Sequence, residues 1–295
     1  MPTHSRYIDP LTDFGFKRIF GSDPNKDLLI AFLNAVFNGR KTIVDLVYNK
    51  NEHPGEVATE GAVIFDILCT DQNGDRFIIE VQRAQQRYFK ERAVFYMSRL
   101  ISEQAPKGDR KAWNYQISEV YLIAILEDII LPGNTDSEYL YDICLCNRDS
   151  GAVFYDRLGF IFIELRNFTR LESELFTDLD RWMFVLKHIS KLEKMPLYLR
   201  KPIFEKLFNI AEYSNLSKED KMLYDNSLKQ KWDNQNMLDY AIEEAVKAAE
   251  ERAEQKALSD KYEMIPELEK AGLSMVQIAG IVKLSLAEVE QHLSK

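Results

Sequence analysis

Ala62-Val-Ile-Phe-Asp66-Ile-Leu-Cys-Thr70-Asp-Gln-Asn-Gly74-Asp-Arg-Phe-Ile-Ile-Glu80-Val-Gln82-Arg83 reads as two strands, Ala62–Thr70 and Arg76–Arg83, joined by the turn Asp71-Gln72-Asn73-Gly74-Asp75. The register decides whether the two carboxylates meet. A two-residue turn at Asn73-Gly74 pairs Asp66 with Val81 and points Glu80 to the other face. A three-residue loop, Gln72-Asn73-Gly74, with Gly74 in the left-handed conformation, pairs Asp66 with Glu80. The second register is favoured, in part because it does not split the carboxylates between the faces of the hairpin. Strand alternation then sets Glu80 and Gln82 on one face and Phe77, Ile79 and Val81 on the other.

Both acids sit inside apolar runs, Val-Ile-Phe-Asp-Ile-Leu and Phe-Ile-Ile-Glu-Val-Gln, where a charge is costly unless it is paired or coordinates a metal. Two converging carboxylates, helped by the backbone carbonyl of Val81, make a hard-oxygen site suited to Mg²⁺ or Mn²⁺. Such an ion lowers the pKa of a bound water and stabilises charge on a scissile phosphate. The competing reading is an ordinary hairpin with its acids at the exposed ends.

Working outward, Asp23-Pro24-Asn25 caps a helical pattern in which Leu28, Leu29, Phe32, Leu33, Val36 and Phe37 recur until Asn38-Gly39 stops it. Its apolar face is expected to pack on a sheet. A strand at Ile43–Tyr48 precedes the hairpin, and a helix from about Tyr88 to Glu103 follows it. Further strands are expected near Val120–Leu126, Tyr139–Cys146 and Gly159–Leu165. That order belongs to a mixed α/β core. From Leu171 onward only helical periodicity remains, interrupted at Pro196, Pro202 and Ser214-Asn215. Asp239–Ala257 is rich in Ala, Glu and Lys with little apolar stripe, and Ser274-Met-Val-Gln277 and Ser285-Leu-Ala-Glu288 are capping-box patterns. The expected organisation is a core over 1–170, a helical extension over 171–238, a charged connecting helix over 239–262 and a small helical module over 263–295. Self-association through the C-terminal helices is left open.

With 295 residues, 46% of them hydrophobic, the chain is long enough for one sizeable core and an appendage. The net charge of -9 argues against indiscriminate coating of nucleic acid. Residues 1–120 are near neutral, however, and in 83–111 the basic residues Arg83, Arg87, Lys90, Arg92, Arg99, Lys107, Arg110 and Lys111 face only Glu91, Glu103 and Asp109. That excess is either a phosphate track or a solvated helix face. Cys69, Cys144 and Cys146 are too few for a disulfide framework and read as buried small side chains. No apolar run has membrane-spanning length, and MPTHSRYIDP lacks a secretory pattern, so the expectation is a cytoplasmic protein that engages no membrane. The four histidines are scattered and give no zinc pair. Asp13-Phe14-Gly15 matches the kinase tripeptide by letters only, with no Gly-rich loop or catalytic loop beside it.

Asp66 in a strand, a turn, then Glu80-Val81-Gln82 resembles the PD-(D/E)XK motif with Gln in the last position. Asp13-Phe-Gly-Phe-Lys-Arg-Ile-Phe-Gly21, and Arg92 with Tyr96 on the following helix, are similar to the recombination-promoting nuclease and transposase family of bacteria. The likeness extends to Leu-Glu-Lys-Ala-Gly-Leu-Ser274 and to Ser285-Leu-Ala-Glu-Val-Glu290, which resemble the short helical repeat at the C-terminus of such proteins. The resemblance implies a restriction-endonuclease-like α/β core with a mixed central sheet flanked by helices, followed by an all-helical C-terminal region. It implies a Mg²⁺-dependent (or Mn²⁺-dependent) DNA endonuclease of low sequence specificity, tied to recombination or DNA mobility. Asp66 and Glu80 would be metal ligands, with Val81 contributing its carbonyl. Gln82 stands where Lys is usual, which removes a fixed charge beside the attacking water but leaves an amide able to orient it. Phe65 replaces the usual Pro. Asp13 and Lys17, one turn apart, either reach the same cleft or form a simple i,i+4 ion pair. Arg83, Arg87, Lys90 and Arg92 are candidates for nucleic-acid contact. A nuclease-fold protein that binds DNA or a partner without cutting is the alternative, and a pure assembly protein built on the helical half is a third. The last helix offers Glu and no Arg or Lys to a major groove, so DNA reading by it is not expected.

Overall fold

The computed structural model describes residues 5–53, 63–83, 88–106, 114–131, 133 and 138–294, with the side chains of 52, 53, 63 and 64 left aside. Two units are distinguished, one up to Lys231 and one from Trp232.

The first unit is built on a six-stranded sheet. Its strands are β1 (Leu46–Tyr48), β4 (Ile67–Asp71), β5 (Arg76–Gln82), β6 (Val120–Leu126), β7 (Leu140–Cys146) and β8 (Val153–Glu164), in the order β1-β4-β5-β6-β8-β7. The pairs β5–β6 and β6–β8 are parallel and the rest antiparallel. β2 (Glu52–His53) and β3 (Val63–Ile64) form a separate antiparallel pair. Helix α3 (Phe89–Ser102) makes the crossover from β5 to β6 and buries Phe89, Ala93, Met97 and Leu100, one stripe of its surface, with Leu68, Ile78, Leu122 and Phe162 of the sheet. The other face carries Phe77, Ile79, Ile123, Ile125, Ile161 and Ile163. It is packed into a larger core with α1 (Asp13–Phe20), α2 (Lys26–Phe37), α4 (Asp178–His188) and α5 (Pro202–Ala211).

The apolar stripe of α2 does pack on the sheet, where the ring of Phe37 meets Tyr121 at 4.9 Å and Phe77 at 5.9 Å. Deeper in this core Trp182, 1% exposed, touches Phe20, Phe32 and Phe204. Each such side chain contributes about 1.5–3 kcal/mol on full burial. Asn38 ends α2 in the left-handed conformation, as its sequence suggests. Asn25, by contrast, makes no side-chain cap: its amide donates to the Arg18 carbonyl at 3.0 Å and ties α2 back to α1.

Three sequence expectations are corrected. The run Ala62–Thr70 is not one strand; within the described residues it breaks at Phe65-Asp66 into β3 and β4. At the break side chains satisfy the Asp66 backbone, since its N–H donates to Glu80 Oε1 at 3.1 Å and its carbonyl accepts from the Asn51 amide at 2.9 Å. Strand β8 begins at Val153, six residues before the expected start. Asn147 Oδ1 accepts the N–H groups of Asp149 and Ser150, and Gly151, at φ 70°, closes a hairpin that lets β8 run further back along β7. Finally, of the three cysteines only Cys69 is buried; Cys144 is half-buried and Cys146 exposed, because β7 is the outermost strand and its pairing with β8 shifts register there.

Helix α6 runs from Lys218 to Lys270 and so contains the charged stretch 239–262. The second unit combines its last part with α7 (Met275–Val282) and α8 (Leu286–Leu293) around Ile265, Ile278, Val282 and Val289. Both expected capping boxes form, Ser274 with Gln277 and Ser285 with Glu288. The turn between α7 and α8 holds Lys283 at φ 53°, a left-handed conformation for which glycine is the usual residue. Among the described residues no helix is long and apolar enough to cross a membrane.

Candidate active site

The turn of the β4–β5 hairpin sets the site. Ile67 pairs with Ile79 and Thr70 with Arg76, which is the three-residue-loop register, and Gly74 takes φ 86°. Asp71 Oδ1 accepts the N–H groups of Asn73 and Asp75, both at 2.9 Å, holding the loop from inside. Lys41 then braces it, with Asp75 Oδ2 at 2.5 Å and Glu119 Oε2 at 2.8 Å. Asp66 lies at the break just before β4, one residue beyond the Ile67–Ile79 pair, and Glu80 one residue beyond it on β5.

The two acids are locked by crossed hydrogen bonds. Asp66 Oδ2 accepts the Val81 N–H at 2.8 Å, while Glu80 Oε1 accepts the Asp66 N–H. Gln82 lies on the Glu80 face, as alternation requires, and its amide donates to Glu80 Oε2 at 3.2 Å. Glu80 and Gln82 are each only 6% exposed, and Asp66 is half-buried. Burial raises the pKa of both acids, and the Asp66 charge drives Glu80 further, to about 8. The exposed-end hairpin is therefore not what the fold builds.

Cations from three elements act on this pair. Lys17 of α1 and Arg83, just past β5, each favour the Asp66 carboxylate, whereas Asp13 opposes it. Asp13 and Lys17 form the i,i+4 ion pair at 2.7 Å. Arg92 of α3 favours the Glu80 carboxylate and lies 5.7 Å from the centres of the Tyr96 and Phe89 rings. Tyr96 packs edge-on against Phe65 at 5.2 Å. Lys90 is exposed and, two residues before Arg92, points to nearly the opposite side of α3. Arg87, Lys107, Arg110 and Lys111 lie outside the described residues, so the basic track of 83–111 is represented here by Arg83, Lys90, Arg92 and Arg99.

A divalent cation fits this donor set. Burial raises the pKa of both carboxylates and the Asp66 charge raises that of Glu80 further, a cost that a cation would relieve, and Asp66 Oδ1 accepts no hydrogen bond among the described residues. No cluster of three or more His, Cys, Asp or Glu suited to a metal occurs among those residues.

Sequence reasoning missed a second, half-buried ionic group beside the first. Lys231 of α6 bridges Asp9 and Glu127, and the Glu127 N–H donates to the Gln82 carbonyl at 2.9 Å. Glu127 carried a legible signal, since it is the charged residue that directly follows the apolar run of β6, at the carboxyl end of a parallel strand. Lys231 did not stand out among the many charges of α6.

Searches of curated proteins and of solved structures return no match to this chain. A family model does match, over residues 10–241, which covers α1, the hairpin, α3 and the start of α6. The chain belongs to the PD-(D/E)XK nuclease family transposases.

Proposed function

We propose that the β4–β5 hairpin is the centre of a divalent-metal-dependent DNA endonuclease of low sequence specificity, serving recombination or DNA mobility. The observation that carries this reading is the pairing of Asp66 with a deeply buried Glu80 whose pKa is pushed up to about 8, with Gln82 hydrogen-bonded beside it. Asp66, Glu80 and the Val81 carbonyl would hold Mg²⁺ or Mn²⁺. When bound, the ion supplies a lowered pKa for water and charge stabilisation at the scissile phosphate.

The remaining work falls to side chains. Gln82 is fixed through its amide nitrogen, which leaves its carbonyl oxygen to accept a hydrogen bond from an incoming water and orient it. Lys17 and Arg83 bring positive charge to the Asp66 side, in the role that lysine at position 82 would otherwise take. Arg92, oriented by Tyr96 and Phe89, is suited to a phosphate oxygen. Contact by Arg83 and Arg92 with the phosphodiester backbone carries no base readout, which accords with low sequence specificity. Arg87, which lies outside the described residues, and Lys90 are carried in the same proposal as nucleic-acid contacts.

A second reading rests on Gln82 itself. Its amide is engaged with Glu80 and brings no charge, which suits a protein that holds DNA without cutting it. Nicking of supercoiled plasmid with Mg²⁺, Mn²⁺ or EDTA separates the two, with Asp66→Ala and Glu80→Gln as controls. Metal-dependent nicking that both substitutions abolish is the expected result. A folded, metal-binding wild type that cuts no substrate under any metal overturns the enzyme reading in favour of binding alone.

A further inference from the structure

The first four turns of α6 form a polar seam. Asp220, Tyr224, Ser227 and Lys231 recur at spacings of four, three and four residues, hence on one face of the helix. Each is bonded to the segment that leads into α1 or to α1 itself. Asp220 pairs with Arg18 at 3.2 Å, the Tyr224 hydroxyl accepts the Asp9 N–H at 3.0 Å, Ser227 Oγ accepts the Phe14 N–H at 3.3 Å, and Lys231 reaches Asp9 Oδ2 at 2.7 Å. Tyr224 and Ser227 are buried. The Phe14 N–H belongs to the first turn of α1, which has no partner within the helix, so Ser227 completes the end of α1 from outside.

Lys231 differs from the other three because it also reaches across to Glu127. Through Asp9 it holds the turn on which α1 starts. That turn is packed so closely that a Cβ at Gly15 would meet the Asp9 carbonyl oxygen at 2.1 Å. Through Glu127 it holds the residue whose N–H caps the Gln82 carbonyl. One ammonium therefore ties together the two elements that bring Lys17 and Gln82 to the acidic pair. Burial opposes the Lys231 charge, but Asp9 and Glu127 outweigh it and hold the amine protonated.

We infer that Lys231 is a positioning residue, whose bridge between Asp9 and Glu127 sets α1 and the carboxyl end of β5 in place around Asp66 and Glu80. The inference rests on the proposed metal site, and it is read most directly by a measurement that does not involve metal. Hydrogen exchange in the full chain is compared for wild type, Lys231→Met, Lys231→Arg and Glu127→Gln, alongside calorimetric titration with Mn²⁺. Lys231→Met is expected to speed exchange at least about tenfold in residues 9–20 and 80–83 while α4 and β6 stay protected. Its Mn²⁺ affinity is expected to fall about 10-fold or more, the usual cost of losing support behind a ligand set. Lys231→Arg, which keeps the charge, is expected to restore most of both.

Unchanged exchange and Mn²⁺ affinity in folded Lys231→Met overturn the inference, as does exchange raised uniformly across the sheet, which would mark Lys231 as merely structural. If Lys231→Met does not fold, Glu127→Gln decides: it leaves the Asp9 pair intact, so faster exchange confined to 80–83 supports the bridge and no change there overturns it. A wild type that binds no Mn²⁺ removes the proposed function, while the exchange pattern still decides for or against positioning by Lys231.

Discussion

The hairpin at 67–82 and the stretch of α6 beyond Lys231 both carry acidic residues, and they use them in opposite ways. In α6 the side chains of Glu243, Glu244, Glu250, Glu251 and Glu254 are all exposed. Water solvates them fully, and their sum does little beyond setting the net charge. In the hairpin Glu80 is 6% exposed, close to Asp66, and unable to ionise at its ordinary pH. Functional signal therefore lies in the cost of a charge and not in the number of charges. The same contrast runs along α6 itself, whose face from Asp220 to Lys231 is bonded to α1 and the segment leading into it, whereas nearly every residue from Trp232 to Ala257 is exposed.

The contrast breaks first, if it breaks, at the acidic pair. Asp66→Ala and Glu80→Gln should each lower kcat for plasmid nicking about a hundredfold or more, since the proposed ion is worth several kcal/mol to the transition state. Stability should move the other way. Glu80 titrates near 8 in the folded chain against an ordinary value of 4.5, so its contribution is full below about pH 4.5 and is lost as pH rises through 8. Urea unfolding of the metal-free wild type should accordingly show stability falling over that window. Glu80→Gln should flatten the fall and be the more stable chain at pH 8 by about 1 kcal/mol. An unaltered pH profile in Glu80→Gln would show that the burial of this carboxylate costs nothing.

Lys17→Ala sharpens the comparison by removing a cation that acts on the pair from another element. Because Lys17 lowers the Asp66 pKa, its loss should move the acid limb of the kcat profile to higher pH, with a loss in rate of about tenfold. A rate loss with no movement of the limb would place Lys17 outside the site's electrostatics. Gly74→Ala tests the turn that creates the pairing. A Cβ at φ 86° should cost about 1–2 kcal/mol in unfolding free energy, with Gly74→Asn costing less. In the other unit Lys283→Gly relieves a similar conformation, and should stabilise it by about 1 kcal/mol without changing cleavage. Glu250→Gln with Glu251→Gln should change unfolding free energy by no more than about 0.5 kcal/mol, as expected for solvated charges.

Much of the fold was legible because its elements have local signatures. The stripe of α2, the capping boxes at Ser274 and Ser285, and the Gly74 loop that fixes the β4–β5 register all follow from short-range sequence. The early start of β8 was hidden because Val153 and Tyr155 owe their pairing to β7, across a hairpin whose turn is shaped by the Asn147 side chain. The break at Asp66 was hidden for a related reason. Its backbone is satisfied by Asn51 and Glu80, which propensity does not register.

The sequence alone pointed to the family and the α/β core and favoured the hairpin register that the fold adopts, all of them products of adjacent residues or of a motif held within one hairpin. Only the tertiary structure decided how deeply Glu80 is buried, that Lys17 and Arg83 favour the Asp66 carboxylate and Arg92 that of Glu80, and that Lys231 pairs with the residue whose N–H caps the Gln82 carbonyl. Those facts join residues as far apart as Asp9 and Lys231. They depend on which charges the packed core forces together, and that is a property of the whole chain's burial and not of any stretch within it.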